Sequence, residues 1–348
     1  MDETGKKWFE IKGSDRDIVV SARIRLARNL KGIPFPGRLE ESVAAKILGD
    51  AFKSLKNTAS GSRFSVIDLT KAERAFALSL MERHLISPEM VEGKGVRGVI
   101  VSGDEGVSIM VNEEDHLRIQ VIGVGLCLDK CLETADRIDD VLDSSLEYAF
   151  DEKLGYLTRC PTNLGTGLRA SVMLHLPALC ETGGVKGMFQ SLSKLGFAVR
   201  GIYGEGTSAR GSLFQVSNQL TLGFTERELI GRMNEVVERL INEERETRRK
   251  LIEKNELKVS DGISRALGTL KFARALSSDE AISLLSQMRL GVSEGIVTGM
   301  SCEEIDEIFT SVQPGSMAQM KTGLERADRH KVRADILRGK FSPAEIKD

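Results

Sequence analysis

The chain has 348 residues, enough for two domains at roughly 150 residues each. Its 49 Lys and Arg against 51 Asp and Glu give a net charge of −2, which excludes a global positive field for nucleic acid. The 41% hydrophobic and 29% charged residues exclude a disordered chain, and no apolar run is long enough to span a membrane. Residues 1–12 lack the apolar segment of a secretory signal, so we expect a cytoplasmic protein without a membrane partner.

The first two thirds of the chain mix strand and helix signals, beginning with a strand over 17–26. Its period of two places Arg23 and Arg25 on one face and Ile24 and Leu26 on the other. Further predicted elements follow in this order: helices over 46–55 and 71–85, the second stopped by Pro88; strands over 96–101 and 107–111; a hairpin over 107–122 with its turn at 112–116; an amphipathic helix over 136–150; and a strand over 212–216.

A long helix then begins with a capping box, in which Thr225 is the N-cap and Glu228 is the third helical residue. Its charged tail, 243–256, has few apolar anchors, so we place a domain boundary near its end. No strand is predicted beyond that point. Two further capping boxes, Ser277/Glu280 and Ser301/Glu304, and the break at Pro314-Gly315 predict a small helical bundle.

Cysteine and histidine are scarce, which limits the chemistry available. The five cysteines are odd in number and contain no C-x2-C pair, so we expect reduced thiols and neither a disulfide framework nor a zinc ribbon. The four histidines form no H-E-x-x-H or H-x3-5-H pattern. We therefore predict no metal-ligating residues, and chemistry that depends on carboxylates, arginines or a thiol.

Two glycine loops, Gly165-x-Gly167-x-x-Ala170 and Gly204-x-Gly206-x-x-Ala209, satisfy a loose dinucleotide-binding pattern. The first follows residues 160–163 (CPTN) instead of a buried strand, which disfavours a dinucleotide fold, and no P-loop motif is present. Arginines flank both loops, and guanidinium groups combined with backbone N–H groups suit a polyphosphate. Ordinary turns with surface arginines are the alternative. The flanking arginines are Arg159, Arg169, Arg200 and Arg210.

Four sequence blocks together resemble successive signature blocks of the phosphagen (guanidino) kinases, in matching order and spacing over about residues 14–250. They are 21–28 (SARIRLAR), 112–118 (NEEDHLR), 160–171 (CPTNLGTGLRAS) and 200–205 (RGIYGE). The chain lacks the helical domain that arginine and creatine kinases carry ahead of this point and has a helical C-terminal segment instead. That layout resembles the bacterial protein arginine kinases of the McsB type.

The resemblance implies an α+β fold, with an antiparallel β-sheet flanked by helices in a catalytic domain over 14–254. An all-α domain over 255–348 would bind phosphoarginine and regulate the enzyme. The implied activity is transfer of the γ-phosphoryl group from ATP, with Mg2+, to arginine side chains of proteins, marking them for regulation or Clp degradation.

The resemblance also implies where ATP binds. Five arginines would hold its phosphates and, with Mg2+, offset the charge of the transition state: Arg23, Arg25, Arg118, Arg169 and Arg200. His84 matches a family histidine near the nucleotide, although a lone histidine on a helical stretch is also typical of packing. The other implied positions are Ser21, Ala22, Ile24, Ala170, Ser171, Val172, Met173, Gly201, Ile202, Tyr203, Gly204 and Glu205, with Met173 replacing a further histidine of arginine kinases.

Carboxylates must activate the substrate, because a guanidinium has a pKa above about 12 and a delocalised lone pair. Glu114 and Glu205 match the two substrate-binding glutamates of the family, and Glu114 is the first candidate for the general base. A solvated turn acid is the alternative for Glu114. Cys160 matches the family's reactive cysteine, whose thiolate would complement the substrate cation without acting as a nucleophile.

A C-terminal motif, Arg329-His330-x-x-Arg333-Ala334, resembles the R-D-x-x-R-A motif with which this family binds phosphoarginine. Arg329 and Arg333 are four residues apart on a predicted helix, a spacing that suits one phosphate. His330 replaces the acid expected to contact the guanidinium portion. A solvated basic helix is the alternative.

The implied partners are protein substrates with exposed arginines, a heat-shock transcription repressor, a zinc-containing activator protein, a Clp ATPase and a second copy in a homodimer, with a role in the stress response. Two other functions stay open. One is a kinase for free arginine or another small guanidino compound. The other is a non-catalytic adaptor that binds phosphoarginine or the repressor, against which the intact Glu114, Glu205, Cys160 and five arginines weigh.

Overall fold

A computed structural model describes residues 6–59, 61–202, 209–320 and 326–347. Its strands are β1 Val19–Arg28, β2 Phe64–Asp68, β3 Gly98–Ser102, β4 Val107–Val111, β5 Leu117–Val124, β6 Phe150–Asp151, β7 Gly155–Tyr156, β8 Leu168–His175, β9 Phe197–Gly201, β10 Leu213–Asn218, β11 Val297–Thr298 and β12 Glu345–Ile346. Its helices are α1 Glu41–Lys56, α2 Arg74–Glu82, α3 Pro88–Glu92, α4 Leu128–Asp143, α5 Pro177–Glu181, α6 Val185–Lys194, α7 Glu226–Phe272, α8 Ser278–Ser293, α9 Cys302–Ser311, α10 Pro314–Met320 and α11 Arg326–Lys340.

Eight strands form one sheet in the order β2-β3-β4-β5-β1-β8-β10-β9, and every neighbouring pair is antiparallel. This confirms the predicted antiparallel sheet flanked by helices. The predicted hairpin is also confirmed, since β4 and β5 pair from Val111 opposite Leu117. The strand that carries Arg23 and Arg25 lies inside the sheet, between β5 and β8. Both of its edges are therefore paired, and its side chains are held in a fixed order.

The two faces of β1 differ as its period of two predicts. Ile24 and Leu26 are fully buried in a core that β1 shares with α1, α4 and α7. Arg23 and Arg25 are only half-buried and lie on the opposite face. Because residues paired across neighbouring strands point to the same side of a sheet, the register extends this division across the whole sheet. One face is the hydrophobic core, and the other carries the arginines.

The arginine face is covered at two places. At the β3–β4 side, α2 and α3 pack on it through a cluster that includes Leu80, Met90 and Met110. At the other place the C-terminal bundle packs on it, and Val20 and Leu213 belong to the core of that bundle. The pairing of β1 with β8 shifts register between Val19 and Ser21, a bulge that re-aims a side chain. An open cleft remains between the two covered places.

The C-terminal bundle is built from the second half of α7 and from α8 to α11, with β11 and β12 as a two-residue ladder. The prediction that this region has no strand is therefore wrong by one short pair. The capping box at Thr225 is confirmed, and α7 continues for 47 residues through the predicted boundary at 254, interrupted only by non-helical dihedrals at Asn255. In the part of the chain that the structure describes, no helix has the length and apolarity to cross a membrane.

Two predicted helices have other limits in the structure. The helix predicted over 71–85 is α2, which spans only Arg74–Glu82 and ends before Pro88. Pro88 itself begins α3 at the first-turn position, where a missing N–H costs nothing, and Ser87 caps that helix. The helix predicted over 136–150 is α4, which ends at Asp143. Beyond it, Tyr148 is buried and bridges to Leu30, so pairing with the chain after β1 overrides the helical pattern.

Candidate active site

The open cleft on the arginine face is a cavity of about 490 Å³. It brings together residues from all four blocks of the sequence that carry the resemblance, within the limits of the described residues. Glu114, Cys160 and His84 line it. So do all five predicted phosphate-binding arginines, which are Arg23, Arg25, Arg118, Arg169 and Arg200. These residues are distant in sequence and lie together in one cavity.

The strand register explains why the arginines converge. Arg25 lies directly opposite Arg169 across the β1–β8 pair, and Arg118 on β5 lies opposite Ala27, two residues further along β1. Arg200 on β9 lies opposite Gln215 of β10, which lies opposite Met173 of β8. All are on one face of the sheet. Like charges placed directly opposite one another on a sheet are destabilising, so the arrangement costs stability when no anion is bound.

The electrostatics of the cleft reflect this crowding. Burial, together with the charges of Arg169 and Arg118, lowers the pKa of Arg23 to about 10. Burial and the neighbouring arginines also lower the pKa of Arg25 and that of Arg169. Among the described residues, the Nε atoms of Arg25 and Arg169 are buried without a hydrogen-bond partner. Buried donors that lack hydrogen-bond partners, surrounded by several guanidinium groups, form a binding site suited to a polyanion.

The turn between β4 and β5 holds the candidate base and is itself held rigidly. Asn112 has φ 60°, in the left-handed region that asparagine tolerates, and its side-chain amide donates to two backbone carbonyls. Asp115 accepts hydrogen bonds from Asn29 Nδ2 at 2.7 Å and from a backbone N–H. His116 Nδ1 accepts from the backbone N–H of Leu30 at 3.0 Å. Side chains of this turn are therefore aimed by a fixed backbone.

Two acids of this turn meet one arginine of the cleft. Arg118 donates to Glu113 at 2.8 Å and to Glu114 Oε2 at 2.9 Å. The Glu113 side chain is almost fully buried, whereas about a third of the Glu114 side chain is exposed to the cleft. Glu114 is thus the acid that an incoming cation can reach. The alternative of a solvated turn acid is wrong for Glu114, because its carboxylate is paired inside the cavity.

Cys160 also lines the cleft, just before a single 3₁₀ turn at Pro161–Asn163, and the backbone N–H of the preceding Arg159 donates to Asp115 of the β4–β5 turn. The Cys160 Sγ lies 3.0 Å from the hydroxyl of Thr162. The glycine loop that follows allows the chain to approach β1, because Gly167 has φ 65° and a Cβ there would lie 2.7 Å from the Ala27 carbonyl oxygen. That loop is therefore not an ordinary surface turn, although Arg159 beside it is exposed.

His84 follows the end of α2 with φ 63° and lines the cleft. Burial and the charge of Arg23 lower the pKa of His84 to about 4, so the ring is neutral at pH 7. Its backbone carbonyl accepts from Gln120 Nε2 at 2.6 Å, which ties the end of α2 to β5. The ring is placed in the cleft and not in a core, as the resemblance implies.

The other predicted nucleotide positions divide between the two faces. Ser21, Ser171, Met173 and Ile202 line a small cavity beside Arg23 and His84, and Gly201 ends β9 nearby. Four predicted positions do not share the cleft, because their side chains are fully buried in the core on the other face: Ala22, Ile24, Ala170 and Val172. Tyr203, Gly204 and Glu205 lie outside the described residues.

Sequence reasoning missed several polar residues of the cleft. Gln120 donates to Ser108, and its Oε1 lies 3.5 Å from Arg23 Nη1, while Ser217 accepts from Arg169 at 3.2 Å. The period of two on β5 could have indicated Gln120, which follows Arg118 by two residues. No sequence signal identifies Ser217, because β10 meets β8 only in the folded sheet.

Part of the C-terminal motif is buried in the bundle. Arg333 is buried, and its Nε and Nη1 donate at 3.0 Å to the backbone carbonyls of Val312 and Leu276. Ala334 is fully buried in the core of the bundle. Two of the Arg333 donors hold the bundle together, so the helix is not fully solvated. Phosphoarginine binding by Arg329, His330 and Arg333 stays a prediction.

Among the described residues, no group of three His, Cys, Asp or Glu side chains could hold a metal ion. The carboxylate of Glu114 is already engaged by Arg118. The cleft side chains that the structure describes thus present hydrogen-bond donors for an anion.

Comparison with known proteins gives two family matches that together cover most of the chain. Residues 45–247 match the model described as ATP:guanido phosphotransferase, C-terminal catalytic domain. Residues 256–348 match the model described as protein-arginine kinase McsB C-terminal domain.

Curated relatives and solved structures agree with these matches. The protein-arginine kinase of Desulforamulus reducens is 46% identical over 338 residues, 95% of this chain and 93% of the relative. That of Clostridium acetobutylicum is 43% identical over 320 residues, 90% and 93% of the two chains. A lombricine kinase structure is 25% identical with a TM-score of 0.59, over 69% of this chain and 68% of the other. The duplicated taurocyamine kinase of Schistosoma mansoni, at 23% identity and TM-score 0.60, shares the fold over 78% of this chain and 42% of its own.

Proposed function

This chain belongs to the ATP:guanido phosphotransferases and is an ATP-dependent protein arginine kinase, and we propose that the cleft on the arginine face is where the phosphoryl group is transferred. One observation carries the proposal. Five guanidinium groups line one cavity, and two of them keep buried donors without partners. Phosphoryl transfer needs charge neutralisation and positioning more than covalent chemistry from the protein, and this cavity supplies both.

The arginines would bind the phosphates of ATP, which enters as its Mg2+ complex. Mg2+ would supply further positive charge at the phosphates, beside the five arginines. Arg25 and Arg169, directly opposite one another, would share the charge that spreads over the γ-phosphoryl oxygens. The mutual repulsion of the two guanidiniums would then be replaced by attraction to one anion.

Glu114 would orient the substrate guanidinium and accept its proton. Arg118 Nη2 lies 2.9 Å from Glu114 Oε2 in the cleft. When Arg118 turns to a phosphate, Glu114 is free to accept hydrogen bonds from the substrate arginine. A nitrogen of that arginine then attacks the γ-phosphorus, the bond from phosphorus to the β,γ-bridging oxygen breaks, a P–N bond forms, and the proton passes to Glu114.

Cys160 would complement the substrate cation as a thiolate. Its Sγ lies 3.0 Å from the Thr162 hydroxyl, which would donate a hydrogen bond to that thiolate. Glu205 is proposed as the second substrate glutamate on the resemblance of its sequence block alone.

The acceptor distinguishes this function from its alternatives. We would offer labelled ATP with free arginine and, in parallel, with an unfolded protein in two versions, one with arginines and one with lysines in their place. We expect label only on the arginine-containing protein, lost in acid and stable in base, as a P–N bond requires. Preferential labelling of free arginine would favour the small-guanidine kinase, and no transfer to any acceptor would favour the adaptor.

The cellular setting is part of the same proposal. All five cysteines are free thiols, as is typical of a reducing cytoplasm. The transcription repressor, the zinc-containing activator, the Clp ATPase and the homodimer remain predictions from the resemblance. Pull-down of each with the wild-type chain and with Arg25→Ala would separate binding from catalysis.

A further inference from the structure

A second cavity, of about 470 Å³, continues the cleft beyond Arg23. A small cavity joins the two. It shares Arg23 and His84 with the arginine cavity, and it shares Ser21, His84 and Met173 with the second cavity. A ligand with its phosphates on the arginines therefore has one continuous path along the sheet face. The path leads away from Glu114 and toward the C-terminal bundle.

The chemistry of the second cavity differs from that of the arginine cavity. Its charged side chains lie beside opposite charges. Glu105 binds both Lys7 and Arg83, and Glu307 pairs with Lys340 outside the cavity. Arg16, whose Nε and Nη2 make no hydrogen bond, lies 3.4 Å from Glu303 and 3.2 Å from Asp306. Hydroxyl and amide side chains line part of the remaining surface. Aromatic and apolar side chains line most of it, among them Phe9, Phe76, Leu213, Phe309 and Met320. A cavity with neutralised charges and apolar walls suits an uncharged flat group and not a phosphate.

Helices α9 and α10 of the C-terminal bundle form one wall of this cavity. Phe309, Gln319 and Met320 line it from that side. Facing them are Val20, displaced by the bulge in β1, and Leu213 of β10, both of which belong to the core of the bundle. The sheet face that carries the arginines thus runs directly into the packing of the second domain.

Hydrogen bonds and close packing hold this wall against α2, the helix that precedes His84. The carboxylate of Glu82, two residues before His84, accepts from the backbone N–H groups of Gly315 and Ser316 at 2.7 and 2.6 Å. A Cβ at Gly315 would lie 2.8 Å from Leu78, so α10 approaches α2 as closely as glycine allows. The bundle therefore cannot move away from α2 without breaking these contacts and displacing His84.

We propose that the C-terminal bundle supplies the end wall of the nucleotide site, with Phe309, Gln319 and Met320 contacting the nucleoside of ATP. The inference rests on the proposed function, because it takes the arginines as the phosphate site. The base lies against the Phe309 and Met320 side chains, and the Gln319 amide offers a donor and an acceptor to its polar edge. The second domain is thereby part of the nucleotide site as well as a separate domain.

The test compares ATP with inorganic tripolyphosphate, which has the phosphates without the nucleoside. Dissociation constants for both are measured by calorimetry on the full chain, the Met320→Ala variant and the Gln319→Ala/Met320→Ala variant. We expect the ATP constant to rise about fivefold to tenfold for Met320→Ala and further for the double variant, because a contact with one apolar side chain is lost. The tripolyphosphate constant stays unchanged. Both side chains are exposed, so the fold is expected to be retained.

Leu257→Ala is the matched control, since Leu257 is an exposed apolar side chain on α7 that lines neither cavity. It should bind both ligands as the wild type does. Unchanged ATP affinity in the double variant, or equal weakening of ATP and tripolyphosphate, would overturn the end wall and leave the phosphate site standing. A wild-type chain that bound neither ligand would overturn the proposed function and this inference together.

Discussion

Arginines with buried guanidinium nitrogens occur in two settings in this molecule, and the settings differ in what surrounds the guanidinium. In the cleft, Arg25 and Arg169 face one another and keep buried Nε atoms without partners. At the junction with the C-terminal bundle, Arg289 donates to the backbone carbonyls of Arg16 and Asp17 and is paired with Asp306 at 2.8 Å.

The difference separates binding residues from structural ones. A guanidinium with all its donors satisfied has nothing left for a ligand, whereas one that lacks partners is stabilised when an anion arrives. Arg248 and Arg333 belong with Arg289, since each donates to backbone carbonyls in the interior. Replacing an arginine of the cleft should therefore lower the rate of phosphoryl transfer. Replacing one at the junction should lower the free energy of unfolding.

The largest effect is expected from Arg25→Ala. Loss of one phosphate-binding arginine should lower the rate of phosphoryl transfer about 10³- to 10⁵-fold. The free energy of unfolding should not fall, because the variant also removes a charge that neighbouring arginines repel. Transfer to an unfolded protein and urea unfolding are measured together, with the exposed Arg137→Ala as control. A rate within tenfold of the wild type would contradict the phosphate role.

Arg289→Met should lower the stability of the protein, in contrast to Arg25→Ala. Removing the buried partner of Asp306 should lower the free energy of unfolding by about 3–5 kcal/mol, measured by urea denaturation. Arg265→Met is the matched control, because Arg265 pairs with Asp261 on the exposed surface of α7, where a pair contributes less than about 1 kcal/mol. Equal stability of the two variants would remove the distinction between the settings.

Cys160→Ala should have an intermediate effect that is confined to the cleft. Loss of a thiolate beside the substrate cation should lower turnover about 10- to 100-fold. The dissociation constant of ATP should stay unchanged, because the arginines remain. Cys180→Ala, away from the cleft, should turn over normally. Normal turnover in Cys160→Ala would remove Cys160 from the site.

The smallest effect is a pH dependence that follows from the burial of His84 beside the positive charge of Arg23. His84 has a pKa of about 4 in the folded chain and an ordinary value of 6.5, so between these values the unfolded chain binds the proton and the folded chain does not. The free energy of unfolding should therefore fall as pH decreases from 6.5 to 4. The ring is partly exposed and solvent screens Arg23, so the loss is about 1–2 kcal/mol.

The difference between wild type and His84→Gln, followed by urea unfolding across this range, isolates the histidine from the carboxylates. Bound tripolyphosphate should reduce the loss, because it offsets the charge of Arg23. A difference that does not depend on pH would contradict the depressed pKa.

Features that depend on neighbouring residues could be predicted from the sequence. A period of two assigns Arg23 and Arg25 to one face of β1, and the capping box locates the start of α7 at Glu226. A motif block, however, contains residues of both faces, so Ala22 and Ile24 were included with the arginines although they are buried in the core. Alternation within the strand already distinguishes the two sets.

What the sequence could not supply depends on contacts between distant segments. The bulge at Val20 arises where β1 meets β8, and the pairing of Arg289 with Asp306 arises where the bundle meets the sheet. Arg333 fits a phosphate-binding spacing in sequence, but its donors are used by carbonyls of other helices. Spacing identifies which donors share a face and does not determine which acceptors reach them.

One helix, α7, contributes to both hydrophobic cores of the protein. Its first half, with Met233 and Val237, is buried under the sheet, and its second half, with Ile263 and Leu267, is buried in the bundle. The two cores are therefore covalently continuous through one helix, and their unfolding is thermodynamically coupled along it. The interruption at Asn255 lies between the two sets of buried side chains, so each half of α7 is anchored in its own core. A change that loosens one core is therefore expected to weaken the other.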